Sequence, residues 1–232
     1  MRRLLRIVTV IVGLVLALIP AVHTAQAAPR ATVGGGSGIV IDNRYGCTMT
    51  TVGTDRAGRL IGLTAGHCGK VGSRIASQRT PAAGVIGRIV VKSKPGDYAV
   101  IALDRRRVTP TRVAGGATIR GIGTFPRAGA TVCKSGITTG YSCGQVLDIE
   151  GSDTLSYVCA NHGDSGGPVL SGNRLVGMLN GGLVVRVAGV GGAVGCVHPA
   201  IPVYTPMVAT KMTAIVADLN RVGGAGAGFR TV

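Results

Sequence analysis

Three short motifs in this sequence place a histidine, an aspartate and a serine where acid–base and nucleophilic chemistry could occur. His67 stands in TAGHC at the end of an apolar run, Asp97 in GDYAVI, and Ser165 in GDSGGPV. Glycines around Ser165 permit a backbone shape that other residues resist and leave the hydroxyl accessible. A hydroxyl becomes a good nucleophile when a neighbouring base removes its proton, and an imidazole is suited to that task near neutral pH.

Each motif also has an ordinary structural explanation when it is taken alone. A histidine at a strand end can be a structural residue, and an aspartate before a strand or a serine among glycines commonly belongs to a turn. The seven residues around Ser165 are more restrictive than the other two motifs. Because this motif occurs together with His67 and Asp97, in the chain order His, Asp, Ser, the three motifs indicate one catalytic constellation.

With these motifs the chain resembles the chymotrypsin family of serine peptidases, above all its small bacterial secreted branch, which includes the streptogrisins and α-lytic protease. The resemblance runs from Gly38 to Leu219, nearly all of the mature chain. Cys133–Gly144 looks like a segment distinctive of that branch, and Cys159–Gly163 matches its spacing before the serine. The resemblance implies an all-β fold of two packed six-stranded antiparallel barrels, with the active site between them and a C-terminal α-helix.

The same resemblance implies a role for each residue of the constellation. His67 would take the proton of Ser165 and return it to the leaving amine, while a buried Asp97 would orient the imidazole and stabilise its charged form. The backbone N–H groups of Gly163 and Ser165 would hold the oxyanion of the tetrahedral intermediate. No metal or cofactor is expected, and we interpret His162 and His198 as surface residues because no second ligand has metal-site spacing.

Two further sets of contacts are implied by the resemblance. Six cysteines behind an export signal suggest disulfides, and six allow fifteen pairings that spacing does not separate. The resemblance selects Cys47–Cys68, Cys133–Cys143 and Cys159–Cys196. It also pairs Asp164, which would be buried, with Lys134, where relatives often have arginine. The alternative is that Lys134 is a solvated surface residue.

The substrate pocket follows from the same resemblance. Its base falls near Tyr157 and Val158, and its walls are formed by Ala160, Asn161, Asn180, Gly181 and Gly182. The base has no aspartate, which disfavours Lys or Arg, and Leu179 stands where glutamate-selective relatives use a histidine. We expect a preference for apolar side chains, unless Tyr157 fills the space and restricts the pocket to small residues.

Three features depart from the family pattern. Asn180 stands where the family usually has a serine that bonds the catalytic aspartate, and an amide could substitute for that serine. The loop between Gly182 and Cys196 is unusual and could narrow the cleft. Only about ten residues separate the predicted leader from the first strand, where the named relatives usually carry a long pro-region.

The elements that must position these residues are short strands. The chain contains 39 Gly and 10 Pro, and short runs rich in Val, Ile and Thr lie between glycine-containing turns, as in an all-β sandwich or barrel. Helical periodicity appears once, at Val208, Met212, Ile215, Val216 and Leu219.

The N-terminus has the pattern of an export signal. A basic start, an apolar run from Ile7 to Val22 and small residues near Ala27 predict a cleaved leader, with an uncleaved anchor as the alternative. We therefore predict a secreted or envelope-associated protein. The predicted parts are a signal peptide (1–27), a flexible segment (28–37), an N-terminal barrel (38–108), a C-terminal barrel with the helix (109–222) and a flexible tail (223–232).

The chain is strongly basic, with a formal net charge of +16. Its basic residues are scattered and it has only five Tyr, two Phe and no Trp, so we do not expect nucleic acid to be a partner. The charge leaves a weak attraction to anionic cell-envelope surfaces open. We expect a monomer that acts on protein or peptide substrates.

Three functions compete at this point. The first is an active serine endopeptidase, and the second is a secreted binding or adhesion protein that keeps the fold with little turnover. The intact His67, Asp97 and Ser165 favour the first, whereas Asn180 and the 183–195 loop favour the second. A basic cell-wall-binding protein rests on charge alone and ranks last.

Overall fold

The fold of this chain is almost entirely β. The computed structural model describes residues 29–187 and 190–232, so the predicted signal peptide lies outside the described residues. The described strands are β1 (Ala31–Val33), β2 (Gly38–Ile41), β3 (Tyr45–Thr48), β4 (Thr51–Thr54), β5 (Leu60–Ala65), β6 (Arg74–Ser77), β7 (Val85–Ser93), β8 (Tyr98–Leu103), β9 (Val108–Pro110), β10 (Val113–Ala114), β11 (Ala117–Thr118), β12 (Gly121–Ile122), β13 (Thr131–Gly136), β14 (Gly140–Glu150), β15 (Asp153–Ser156), β16 (Pro168–Ser171), β17 (Arg174–Gly182), β18 (Val185–Val187), β19 (Val190–Gly192), β20 (Met207–Lys211) and β21 (Arg230–Thr231).

The helical elements are few. An α-helix, α1, spans Met212–Val222, and 3-10 helices span Gly66–Cys68 and Pro81–Ala83. The predicted all-β class with a C-terminal helix is confirmed. Val208, which continued the helical periodicity in the sequence, lies in β20 instead, so α1 begins one turn later than that pattern suggested. In the part of the chain that the structure describes, no helix is long and apolar enough to cross a bilayer.

The C-terminal half forms a closed barrel of six antiparallel strands. Its hydrogen-bonded ring runs β13, β14, β15, β20, β17, β16 and back to β13. Valines from these strands fill its interior with Leu179 and Met207. β-Branched side chains suit such a pleated, half-buried surface. The predicted C-terminal barrel is thus present, with β12 added to it as a parallel partner of β17.

The N-terminal half is a curled sheet of eight strands, in the order β21, β4, β5, β8, β7, β6, β2, β3. Only Met49 and Thr50 separate β3 from β4, yet these strands lie near opposite ends of that order, so the sheet bends round on itself. Among the described residues no strand pairing closes it. The prediction of a six-stranded barrel here is therefore corrected to a half-barrel sheet.

The two terminal segments expected to be flexible are hydrogen-bonded into the fold. In the first, β1 pairs in parallel with β9, and in the second, β21 pairs with β4 while Phe229 is buried. The glycines of the C-terminal segment, such as Gly226 with φ of 91°, support left-handed turns that return the chain to the first sheet. The many glycines of this C-terminal segment therefore serve its turns.

Helix α1 packs against the N-terminal sheet and connects the two halves. Ile215 and Leu219 are buried in a hydrophobic cluster that also contains residues of both halves. On the same helix, Asp218 accepts a hydrogen bond from the Tyr98 hydroxyl at 2.8 Å. Burial and the nearby Asp218 carboxylate both raise the pKa of Tyr98, so this donor stays protonated. The shared cluster holds the two halves together around the residues that lie between them.

Candidate active site

His67 and Asp97 meet because they flank two neighbouring strands. His67 lies in the 3-10 helix that follows β5, Asp97 directly precedes β8, and Ala65 of β5 is paired with Tyr98 of β8. The His67 Nδ1 atom is 2.7 Å from the Asp97 Oδ2 atom, and the His67 backbone N–H donates to Oδ1 at 2.8 Å. The carboxylate therefore fixes both the position and the tautomer of the imidazole, which leaves Nε2 for a second partner.

Asp97 has a left-handed backbone with φ of 40°. Aspartate tolerates this region better than most residues with a Cβ. Its carbonyl accepts a hydrogen bond from the Gly66 N–H at 2.7 Å. A Cβ on Gly66 would lie 3.0 Å from the Asp97 carbonyl carbon, so glycine before His67 permits this close approach.

Asn180 links this pair to the C-terminal barrel. Its side-chain amide donates to the Asp97 Oδ2 atom at 2.9 Å and to the Asp97 carbonyl at 3.0 Å. The amide oxygen of Asn180 accepts in turn from the N–H and the hydroxyl of Thr210, both at 2.9 Å. The amide thus makes the bond to the aspartate that a family serine would make. Thr210 was not foreseen from the sequence, because its role depends on the pairing of β17 with β20.

The environment of Asp97 favours its charged form. Burial alone would raise its pKa, but hydrogen bonds from His67 and Asn180 outweigh that and hold the pKa of Asp97 below its usual value. The side chain of Asp97 is 36% exposed, so the expectation of a buried aspartate is corrected.

Ser165 stands opposite His67 on a loop that the N-terminal sheet holds in place. The Ser165 carbonyl accepts from the Thr48 N–H at 2.8 Å, and the Thr48 hydroxyl donates to the Gly163 carbonyl at 2.9 Å. Ser165 and His67 line the same two cavities. Within the described residues no hydrogen bond joins their side chains, so the structure brings them to one cleft with the bond unformed. Such bonds often tighten only when substrate is bound.

Two backbone N–H groups, those of Gly163 and Ser165, are candidates for an anion site beside the Ser165 side chain. In the described part of the chain, neither the Gly163 nor the Ser165 N–H has an acceptor. Gly163 has φ of 95°, and a Cβ there would lie 2.5 Å from the Thr138 hydroxyl oxygen. The loop conformation therefore requires glycine. Paired N–H groups of this kind can stabilise a developing oxyanion.

Asp164 and Lys134 form a fully buried ion pair, with Lys134 Nζ 3.1 Å from Asp164 Oδ2 and both side chains inaccessible to solvent. Asp164 also accepts from the backbone N–H groups of Thr138, Thr139 and Asn161 at 2.8–3.1 Å. Burial lowers the pKa of Lys134, while the Asp164 carboxylate acts in the opposite direction. The predicted pairing is present, and the surface alternative for Lys134 does not apply.

The three disulfides are those that the resemblance implied. Cys47–Cys68, Cys133–Cys143 and Cys159–Cys196 are bonded, and the described residues contain no free cysteine. The first of them joins β3 to the 3-10 helix that carries His67. The third joins the segment before Ser165 to the loop that follows β19. Disulfides therefore support both sides of the cleft.

A small cavity of about 220 Å³ adjoins Ser165 and His67. Five of the predicted pocket residues line it, together with Leu179, Thr205 and the 193–195 segment. The five are Ala160, Asn161, Asn180, Gly181 and Gly182. The segment 193–195 comes from the unusual loop, as the sequence suggested. Among the residues that the structure describes, histidines are the only ionisable side chains that line this cavity.

Tyr157 and Val158 do not line the small cavity, so their predicted place at its base is corrected. Val158 is buried in the barrel interior. Tyr157 stacks on Tyr204 with ring centroids 4.7 Å apart, and its hydroxyl donates to the Pro202 carbonyl at 3.0 Å. These contacts hold the Tyr157 ring against Tyr204, and Tyr157 is not among the described residues that line the cavity. The lining of the cavity therefore does not favour the alternative in which Tyr157 fills the pocket.

The two predicted surface histidines differ in their relation to the cleft. His162 and His198 are both exposed, as expected. His162 lines both cavities beside Ser165, whereas His198 accepts a local hydrogen bond from the Ala200 N–H at 3.2 Å.

The fold is that of the chymotrypsin-like class of serine peptidases. A model of the trypsin family matches residues 57–206, more than half of the chain. The chain therefore belongs to the trypsin family, a family of serine endopeptidases.

Known relatives place it near bacterial members of that family. Streptogrisin-C of Streptomyces griseus is 34% identical over 134 residues, which are 51% of this chain and 28% of streptogrisin-C. Serine protease 2 of Streptomyces fradiae is 30% identical over 166 residues, 65% of this chain and 94% of the relative. The crystal structure of Nocardiopsis protease superposes on this chain with a TM-score of 0.62. The two sequences are 27% identical, and the match covers 82% of this chain and 97% of the Nocardiopsis chain. The chain thus spans much less than two thirds of streptogrisin-C.

Proposed function

We propose that this chain hydrolyses peptide bonds with Ser165 as nucleophile, His67 as general base and acid, and Asp97 as the group that orients His67. The observation that carries the proposal is the His67–Asp97 contact of 2.7 Å in a cleft that Ser165 also lines. In the first step the Ser165 oxygen attacks the substrate carbonyl and its proton passes to His67 Nε2. The negative charge that forms on the carbonyl oxygen is held by the Gly163 and Ser165 N–H groups.

The same groups then form the acyl-enzyme and hydrolyse it. His67 gives the proton to the leaving amine, whose C–N bond breaks, and the acyl group remains on Ser165. A water molecule replaces the amine, loses a proton to His67 and attacks the ester, which restores the Ser165 hydroxyl. Asp97 stays ionised throughout, which its lowered pKa favours, and stabilises the imidazolium.

The small cavity supports a preference for apolar side chains on the acyl side of the bond. Its lining contains aliphatic residues and glycines beside the polar side chains of Asn161, Asn180 and Thr205, and among the described residues it has no carboxylate that would bind Lys or Arg. A charged substrate side chain would lose hydration there without an ionic partner. We propose that the residue before the scissile bond is small or apolar.

Export is also part of the proposal. A basic start followed by an apolar run and small residues supports a cleaved signal peptide, and the three disulfides suit an oxidising compartment. We propose that the protein acts outside the cytoplasm as a monomer. Mass spectrometry of the mature protein tests this: an N-terminus near Ala28 is expected, and a retained apolar run would contradict it.

A fluorophosphonate probe tests the nucleophile. We expect stoichiometric labelling of Ser165, identified by peptide mass spectrometry, because only an activated serine attacks phosphorus at a useful rate. The Ser165→Ala variant should remain unlabelled, and Ser171→Ala, a change at a serine outside the cleft, should label as the parent does. A folded protein that never labels would contradict the proposal and favour the binding or adhesion role.

A further inference from the structure

A second cavity beside Ser165 is large and open, with a volume of about 930 Å³. Its walls are the β2–β3 hairpin, the Cys47–Cys68 disulfide and the segment that follows His67. It is separate from the small cavity but shares His67, His162 and Ser165 with it. We call it the basic groove after three cations that line it: Arg44, Lys70 and Arg74.

These three cations share one nearby acid, Asp42, whose pKa is lowered by the hydrogen bond from the Arg74 backbone and, to a smaller extent, by the charges of Arg74 and Lys70. All three are exposed, and within residues 29–187 and 190–232 none of their side chains contacts a carboxylate. The groove contains one acid, Asp42, whose Oδ1 atom accepts the Arg74 backbone N–H at 2.8 Å. Elsewhere on this surface arginines do pair with acids, as Arg59 does with Asp55 at 2.7 Å. The groove therefore has a surplus of positive charge beside the candidate nucleophile.

The position of His67 indicates which part of a substrate enters the groove. This step rests on the proposed function. His67 must deliver a proton to the leaving amine, so the chain beyond the scissile bond lies on the His67 side of Ser165. The groove is lined by His67 and the residues directly after it, whereas Asn180, Gly181 and Gly182 line only the small cavity. The leaving half of the substrate would thus pass along Arg44, Lys70 and Arg74.

We propose that the basic groove selects substrates with acidic side chains within a few residues after the scissile bond. Aspartate or glutamate there would gain charge-assisted contacts with the guanidinium and ammonium groups. Exposed pairs of this kind are individually weak and are screened by salt. Two acidic residues should raise kcat/KM about 3- to 10-fold at low ionic strength.

Matched internally quenched peptides test this preference. They share one sequence and differ only at the second and third residues after the scissile bond, which are Glu-Glu, Gln-Gln or Lys-Lys. We expect kcat/KM to fall in that order and the differences to shrink in 0.5 M salt, where the Debye length is on the order of 4 Å. In the triple variant Arg44→Gln, Lys70→Gln, Arg74→Gln, the Glu-Glu to Gln-Gln ratio should approach one. Arg127→Gln, an exposed arginine outside both cavities, should keep the parent ratio.

Two further substrates distinguish failure of the groove proposal from failure of the proposed hydrolysis. A peptide with the Glu pair before the scissile bond should show no comparable gain; an equal gain would attribute the effect to overall charge and overturn the proposal. A nitrophenyl ester, which has no residues after the reacting carbonyl, reports the proposed chemistry by itself. If neither ester nor peptide is hydrolysed, fluorescence anisotropy with Ser165→Ala measures binding of the Glu-Glu and Gln-Gln peptides. Equal affinities there, or equal kcat/KM in an active protein, would overturn the proposal.

Discussion

Asp97 and Asp164 are two carboxylates in the same cleft region, and they are held in opposite ways. Asp164 is completely buried, with Lys134 and three backbone N–H groups bound to it. Asp97 is about one-third exposed, and the groups that bind its carboxylate are His67 and Asn180. The Asp164 carboxylate is surrounded by fixed donors, while the Asp97 carboxylate faces the His67 ring, whose charge would change in the proposed reaction.

The difference separates a structural charge from a chemical one. An ion pair inside the protein stabilises only if both members stay charged and hydrogen-bonded, because removing either leaves a buried charge without a partner. In the proposed mechanism Asp97 needs no such enclosure, since its task there is to stabilise the imidazolium when it forms. The contacts of Asp164, which is adjacent to Ser165, anchor the loop that carries the Gly163 and Ser165 N–H groups of the proposed oxyanion site. Substitutions at the two sites should therefore damage different properties.

The largest effect is expected for Asp97→Asn. The amide keeps the shape but cannot hold the same tautomer or stabilise the imidazolium, so kcat/KM should fall about 10⁴-fold. The free energy of unfolding should change little, because the side chain is partly exposed. Asp148→Asn, at an exposed carboxylate away from the cleft, serves as the control for activity. Peptide hydrolysis and denaturant unfolding measure the two quantities, and a large loss of stability would break the comparison.

Lys134→Met should show the reverse pattern, with stability as the main loss. Removing the ammonium leaves the Asp164 carboxylate buried without its counter-charge, which costs about 3–5 kcal/mol of unfolding free energy. Urea unfolding in the Ser165→Ala background, which prevents self-digestion, measures it. The double variant Lys134→Met, Asp164→Asn should be less destabilised than Lys134→Met alone. Unchanged stability in Lys134→Met would contradict a structural role for the pair.

Asn180→Ala should have the smallest effect of the three. It removes the amide donor to Asp97, and one hydrogen bond to a charged group is worth about 1.5–3 kcal/mol, or roughly 10- to 100-fold in kcat/KM. Asn180→Ser restores a donor at that position and should recover part of the loss. Equal activity in Asn180→Ala and the parent would show that His67 alone keeps Asp97 in place.

Local motifs were sufficient to predict much of this structure. The all-β class, the C-terminal helix, the disulfide pairing and the buried Lys134 follow from short patterns that resemble a known family. The walls of the small cavity were also foreseen, because the family resemblance assigns Asn180, Gly181 and Gly182, the last residues of β17, to the pocket.

The remaining features depend on contacts between distant segments. Tyr157 stacks on Tyr204 and its hydroxyl donates to the Pro202 carbonyl, and these contacts join segments that are distant along the chain. The C-terminal glycines suggested flexibility, yet their positive φ values return β21 to β4. The open edge of the N-terminal sheet and the support that Thr210 gives to Asn180 arise from strand pairing that no local pattern specifies.

A crystal structure of the protein after reaction with a peptidyl phosphonate tests the central claim most directly. We expect phosphorus bonded to the Ser165 Oγ atom and a phosphonate oxygen about 2.7–3.1 Å from the Gly163 and Ser165 nitrogens. The His67 Nε2 atom should lie within hydrogen-bond distance of an adduct oxygen, with the Nδ1 contact to Asp97 retained. An unmodified Ser165, or a His67 ring that faces away from it in the adduct, would contradict the account.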